Sequence, residues 1–227
     1  MQYHGALMMT APVKHIIQKN TVWLSAQHCL FWEEEQALIL SDLHLGKTGH
    51  FRKHGIAVPQ RIFTEDLQRL IDQIAYFKPK QVIAVGDLFH SEANKELDLF
   101  LKWRNDFPGI DFILVKGNHD ILKPEWYAQA NIKVYTGQWT IGNIHFVHDP
   151  AEMDSEPTDL TYTFSGHIHP GVRFNGVGKQ SLYFPCFHFT NTNAVLPAFS
   201  KFSGLASIRT TKHDNVFAII EGKIISL

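Results

Sequence analysis

Three short apolar runs in the first half of the chain each end on the same kind of residue. Ala37-Leu38-Ile39-Leu40 gives way to Ser41-Asp42, Gln81-Val82-Ile83-Ala84-Val85 to Gly86-Asp87, and Phe112-Ile113-Leu114-Val115 to Lys116-Gly117-Asn118. Runs of four or five residues, rich in β-branched side chains and without polar alternation, read as strands buried on both faces. Helical periodicity fills the intervals. From Pro59 to Phe77, Ile62, Phe63, Leu67, Leu70, Ile71 and Ile74 recur at three- and four-residue spacing, with Pro59 at the start and Lys78-Pro79 at the end. Glu92 to Arg104 repeats the pattern with Leu97, Phe100, Leu101 and Trp103. Strand–helix alternation of this kind builds βαβ units.

The second half changes character. Ile144–Val147, Leu160–Ser165, Gly171–Phe174, Ser181–Phe189, Ala194–Leu196, Val216–Ile220 and Lys223–Ser226 read as short strands separated by turn residues, and Thr21–Ser25 with Cys29–Glu33 as an early hairpin. The expected fold class is α/β: two facing mixed β-sheets flanked by helices. No linker separates the halves, so residues 1–227 are read as a single domain.

Composition narrows the function classes. The chain of 227 residues is 44% hydrophobic and 19% charged, as expected of a folded protein. Its net charge of -1 leaves no strongly cationic coat, so nucleic-acid binding would need a local patch. No run approaches a membrane span, and Met1–Lys19 holds no continuous apolar segment of the signal-peptide kind. Cys29 and Cys186 form no CxxC pair; reduced thiols and a cytoplasmic location are expected. Histidine, at 14 residues, is the abundant chemical resource.

The histidines join the acidic residues at strand ends: Asp42-x-His44, Gly86-Asp87, Gly117-Asn118-His119-Asp120, His148 and Gly166-His167-x-His169. Ligands gather beyond the carboxyl ends of parallel strands, so these tips point toward one crevice. Residues two apart in an extended segment share a face, which lets Asp42 and His44, and likewise His167 and His169, approach one site. Glycine before Asp87, Asn118 and His167 permits close backbone approach. A mixed Asp/His/Asn donor set suits manganese, iron or zinc rather than a thiolate cage. Each motif alone has a plain explanation as a turn; the conjunction, in this order, is what points to a metal centre.

This series, spanning residues 42–169, resembles the calcineurin-like metallophosphoesterase superfamily. The stretches at 41–59, 86–91 (GDLFHS), 166–173 (GHIHPGVR), 182–187 (LYFPCF) and 196–204 (LPAFSKFSG) are most similar to the bacterial ligase-associated DNA damage response endonuclease group. The resemblance implies a four-layer α/β/β/α sandwich and two divalent ions, manganese foremost with iron or zinc as alternatives. It implies that Asp42, His44 and His169 hold the first ion, that Asn118, His148 and His167 hold the second, and that Asp87 bridges both. It further implies attack on a phosphodiester by a metal-bridging hydroxide, with His119 as general acid and Asp120 orienting it. DNA is the substrate so implied, in repair, in functional association with a DNA ligase and a helicase. Many superfamily members carry His-Gly at the fourth motif, whereas this chain reads His148-Asp149, and His145 competes for the role.

Substrate contacts are expected from the basic stretch Lys47, His50, Arg52, Lys53 and His54 after the first motif, and from His90 and Arg173. His4, His15, His28, His188 and His213 are read as surface or packing residues. Two further function classes share the same residues: a phosphatase or small-nucleotide phosphodiesterase, and a non-catalytic metal-binding scaffold.

Overall fold

The computed structural model describes residues 10–47, 61–90, 95–153, 160–176 and 180–227. One sheet holds seven strands in sequence order: β1 (Val13–Ile17), β2 (Asn20–Ser25), β3 (Cys29–Trp32), β4 (Ala37–Leu40), β5 (Gln81–Val85), β6 (Asp111–Val115) and β7 (Ile132–Tyr135). Strands β1 to β4 form an antiparallel meander, and β4 to β7 run parallel. The apolar runs seen in the sequence are the parallel, doubly buried strands. The second sheet contains β8 (Trp139–Ile141), β9 (Ile144–Phe146), β10 (Tyr162–Ser165), β11 (Pro170–Asn175), β12 (Ser181–Phe189), β13 (Asn193–Val195), β14 (Ala206–Ser207), β15 (Asn215–Ile220) and β16 (Lys223–Ser226). Its β12 changes partners along its length, pairing β11 from Ser181 to Pro185 and β15 from Cys186 to Phe189.

The side chains of β4–β6 divide between two cores by alternation. Ile39, Ile83, Val85, Ile113 and Val115 meet Phe146, Phe164, Phe187 and Phe189 of the second sheet. Leu38, Leu40, Val82, Ala84, Phe112 and Leu114 face the other way, onto the helices. These are α1, described from Arg61 to Phe77, α2 (Lys95–Arg104) and α3 (Pro124–Gln129). Helix α1 lays Phe63, Leu67, Leu70 and Ile74 against this core, as its periodicity requires. Arg104 ends α2, and its guanidinium donates to the carbonyls of Phe107, Ile110 and Asn131. No described helix is long and apolar enough to cross a membrane, and Cys29 and Cys186 are free and buried.

The sequence reading of the first sheet omitted β1 and β7, and it had no α3 or β8. Val13–Ile17 mixes Lys14 and His15 into the strand and is half exposed, so its apolar signal is diluted. His28, read as a surface or packing residue, is partly buried and packs. It sits between β2 and β3 with φ of 66°, and its Nδ1 lies 2.7 Å from the Ala198 carbonyl. Burial, followed by the charge of Arg69, lowers its pKa from 6.5 to about 3, so Nδ1 is the donor of a neutral ring. A histidine of this kind contributes full stability above 6.5, and that contribution is lost as pH falls toward about 3. Denaturant unfolding of chelator-treated protein should therefore show stability falling as pH drops below neutrality. His28→Asn keeps a donor without a proton to titrate and should flatten that fall; an unchanged slope would refute the assignment.

Candidate metal centre

The parallel ladder does not stop where the strands do. Beyond β4 and β5 the two chains continue side by side: the Asp42 amide donates to the Gly86 carbonyl (3.1 Å), that of His44 to Asp87 (2.9 Å), and that of Leu45 to Leu88 (2.9 Å). The Gly166 amide, after β10, donates to the His148 carbonyl (3.0 Å). Both sheets thus deliver their strand ends to one crevice. The turns that follow are tight. Asp42, His44, Asp87, His167 and His169 all adopt left-handed φ between 50° and 64°. Such backbone is uncommon for residues other than glycine, but Asp, Asn and His are enriched there.

Asp42, His44 and His169 form one group whose potential donor atoms lie within 4.8 Å of one another, and Asp42, Asp87 and His148 form a second. His169 Nε2 is 3.2 Å from Asp42 Oδ1, while its Nδ1 lies 3.2 Å from the Gly204 carbonyl. With Nδ1–H donating to that carbonyl, the Nε2 lone pair faces Asp42. His148 Nε2 gathers Asn118 Oδ1 (3.2 Å), His167 Nδ1 (3.2 Å) and Asp87 Oδ2 (3.4 Å) around it. His148, 2% exposed, therefore faces the crevice. His145 does not: its Nδ1 meets Gln138 and Thr140 on the neighbouring strand.

Electrostatics mark the crevice as built for positive charge. Asp42 is fully buried and Asp87 is 2% exposed. Burial raises the Asp87 pKa, but the hydrogen bond and charge of His148, with the His119 amide and His44, outweigh it and hold the carboxyl at about 2. Burial pulls His148 down; the hydrogen bond and charge of Asp87, and the charge of Asp42, raise it to about 9. His44 is the opposite case. Desolvation, then the charge of Lys47, drives it to about 2, so its ring is neutral. Both of its ring nitrogens are buried without a hydrogen-bond partner, which is costly unless something accepts the lone pair. A neutral imidazole with an unused lone pair beside ionised carboxylates fits a divalent cation.

His119 hangs over this cluster. Its amide donates to Asp87 Oδ1 (2.9 Å), its Nε2 lies 4.0 Å from Asp87 Oδ2, and its ring is 42% exposed. Asp120, expected to orient it, is turned elsewhere: Oδ1 accepts from the Phe89 amide and Oδ2 from the Gly117 amide, both at 2.9 Å. The carboxylate pins the two loops together, and burial raises its pKa to about 7. The ring beside His119 is instead that of His90, with centroids 4.3 Å apart. Asp149, noted in the sequence only as a departure from His-Gly, lies 3.6 Å from His167 Nε2 and so favours a free Nδ1 on that ring. Arg173 is exposed, its guanidinium 5.9 Å from the Tyr183 ring. Lys47 reaches the Phe202 carbonyl (3.3 Å). His50, Arg52, Lys53 and His54 lie outside the described residues.

The three glycines before Asp87, Asn118 and His167 leave no room for a side chain. A Cβ on Gly86, whose φ is 79°, would strike the His148 ring, and one on Gly117 would strike the Asp87 carboxylate. One on Gly166 would lie 2.6 Å from Asp42 Oδ2. Gly117→Ala should displace Asp87 and lower affinity for added Mn²⁺ by ~10-fold or more, read by calorimetry, whereas Gly109→Ala, in open space, should not.

The calcineurin-like phosphoesterase family model matches residues 36–155. Among solved structures, the chain is similar to the nuclease MPE of Pseudomonas putida, with 25% identity and a TM-score of 0.80 over 95% of this chain and 100% of that one. It also matches Yfce, a phosphoesterase from E. coli, with 11% identity and a TM-score of 0.43 over 83% of this chain and 96% of the other. No curated protein matches it. The family match takes in Asp42, Asp87, Asn118 and His148 and spans more than half of the 227 residues. By that match and by its two-sheet architecture, the chain belongs to the calcineurin-like phosphoesterase family and is a metal-dependent phosphoesterase.

Proposed function

We propose that the enzyme cleaves phosphodiester bonds in DNA, in a repair context, using two divalent ions with manganese as the first choice. One ion is assigned to Asp42, His44 and His169, and the other to Asn118, His148 and His167, with Asp87 between them. The observation that carries this reading is the convergence of both sheets' strand ends on a buried, electron-rich crevice. The likeness to a nuclease over the whole chain supports the choice of DNA. When bound, such ions lower the pKa of water and neutralise charge on the phosphate.

The chain's own residues supply the rest. His119, held by its amide to Asp87 and open to solvent, donates a proton from its ring to the leaving oxygen. His90 packs against that ring and limits its rotation. Lys47, whose charge interacts with Asp87 and Asp42, offers positive charge beside the crevice, and exposed Arg173 on β11 offers another, suited to the flanking phosphates of a nucleic acid. Asp149 and the Gly204 carbonyl fix the two rings of the Gly-His-x-His motif in complementary orientations. Free thiols fit a reducing compartment, and association with a ligase and a helicase fits a repair role.

The test is a substrate panel with Mn²⁺: bis-p-nitrophenyl phosphate, p-nitrophenyl phosphate, and single- and double-stranded DNA. Chelator-sensitive cleavage of the diester and of DNA is expected. Monoester turnover with intact DNA would replace the nuclease by a phosphatase, and no turnover with any ion would leave a binding scaffold. His119→Ala should retain metal while losing ~100-fold or more in turnover on DNA, with a smaller loss on the activated nitrophenyl diester. Equal losses on both would remove the acid role. Asp87→Ala should lose metal, measured by elemental analysis; full occupancy would refute its bridging position.

A further inference from the structure

Of the Pro197–Gly204 segment, part of the LPAFSKFSG stretch, only the Gly204 carbonyl has entered the chemistry described so far. The segment lies along the rim as a strap. The Phe199 amide donates to the Ser41 carbonyl (2.8 Å), and the Ser200 amide to the Asp42 carbonyl (3.1 Å). Further along, the Gly204 carbonyl faces His169 Nδ1 (3.2 Å), and the Ala206 amide donates to the His169 carbonyl (3.0 Å). The strap therefore touches Asp42 and His169. The other group meets the strap only through Asp42, whose carboxylate accepts from the His167 amide (3.1 Å); its ring contacts run elsewhere, His148 Nδ1 to Val85 and His167 to Asp149 and His148.

Two side chains hold the strap from behind. Its amides at Phe199 and Ser200 point to the first strand end, so the carbonyls of Ala198 and Phe199 need donors from the other side. His28 Nδ1 meets Ala198 O at 2.7 Å, and Arg69 Nη2 donates to Phe199 O. Arg69, 8% exposed, is itself fixed: Asp66 lies 3.2 Å away on the same helix, and the guanidinium sits 4.4 Å from the Phe199 ring centroid. A planar, always charged donor stacked on an aromatic ring is a rigid support. Helix α1 and the β2–β3 turn are thereby tied through consecutive backbone carbonyls to one half of the metal centre.

We propose that Arg69 and His28 are positioning residues: they clamp the Pro197–Gly204 strap so that Asp42 and His169 are set for the first ion, while the Asn118–His148–His167 half, joined to the strap only through Asp42, responds less. This rests on the two-ion reading above. Groups behind ligands typically tune metal affinity by ~10–100-fold, and a clamp on one half should act most on one site.

The experiment titrates chelator-treated full-length protein with Mn²⁺ by calorimetry and follows the spin-coupled Mn²⁺ signal of a filled pair. The variants are Arg69→Met, Arg69→Lys, His28→Gly and His28→Asn. Gly and Asn both accept the left-handed backbone at His28, but only Asn keeps a donor. Arg69→Met and His28→Gly should weaken one site by ~10-fold or more and lose the coupled signal, while the other site weakens by a clearly smaller factor. The Lys and Asn variants should recover part of that loss. On bis-p-nitrophenyl phosphate at fixed Mn²⁺, kcat should fall with KM near the wild-type value. Should Arg69→Met fail to fold by circular dichroism, the His28 pair decides alone. Wild-type affinity at both sites in folded Met and Gly variants would overturn the clamp, as would equal weakening of both sites. A wild-type chain that takes up no Mn²⁺ would overturn the metal centre itself, and the clamp with it.

Discussion

Two carboxylates, Asp42 and Asp87, lie buried in one crevice, and the surrounding structure answers to that charge. An ionised carboxylate removed from water costs several kcal/mol unless donors or cations replace its hydration. The His167 amide serves Asp42, and the His119 amide serves Asp87. The proton held on His148 supplies a local cation beside both. His44 adds a neutral ring whose two nitrogens are unpartnered. This balance is incomplete by design of the donor set, and a divalent ion completes it by accepting lone pairs that no hydrogen bond uses. Binding of such an ion must displace the His148 proton, which couples occupancy to pH.

The two sheets matter because neither could build the crevice alone. The first contributes Asp42, His44, Asp87 and Asn118 from parallel strand ends; the second contributes His148, His167 and His169. Their relative position is set by the aromatic packing of Phe146, Phe164, Phe187 and Phe189 against Ile39, Ile83 and Val115. Side chains far from the chemistry thus fix distances within it. The loops are then locked to one another by backbone bonds from Asp42, His44 and Leu45 to the β5 loop, and by the Asp120 carboxylate, whose two oxygens bind the amides of Phe89 and Gly117.

The parallel strands and the residues at their ends were legible because periodicity and the ending residue coincide there. Ala37–Leu40 and Gln81–Val85 have the bounds read from the sequence, and Asp111–Val115 gains one residue. Asp42, His44, Asp87, His148 and His169 lie close together, and Asn118 and His167 contact the His148 ring. What the sequence withheld is long-range. Nothing near His119 shows that Asp120 turns to the Phe89 and Gly117 amides, because the partner Phe89 is 31 residues away. His28 reads only as a surface or packing residue until Ala198, 170 residues distant, is beside it. Asp149 was visible as an oddity; its proximity to His167 depends on β9 and β10 pairing in parallel. Tertiary hydrogen bonds of this sort leave no trace in local pattern.

The left-handed turns at Asp42, His44, Asp87, His167 and His169 restrict these positions a second time. Metal chemistry asks for short side chains with exposed lone pairs, and a positive φ tolerates Asp, Asn and His better than any other residues with side chains. The two demands select the same small alphabet. A replacement that conserves charge, such as Asp42→Glu, or one that conserves bulk still has to enter a backbone region that resists it. Exchange at these positions is therefore cheapest among Asp, Asn and His, because other side chains lose either the donor or the backbone preference.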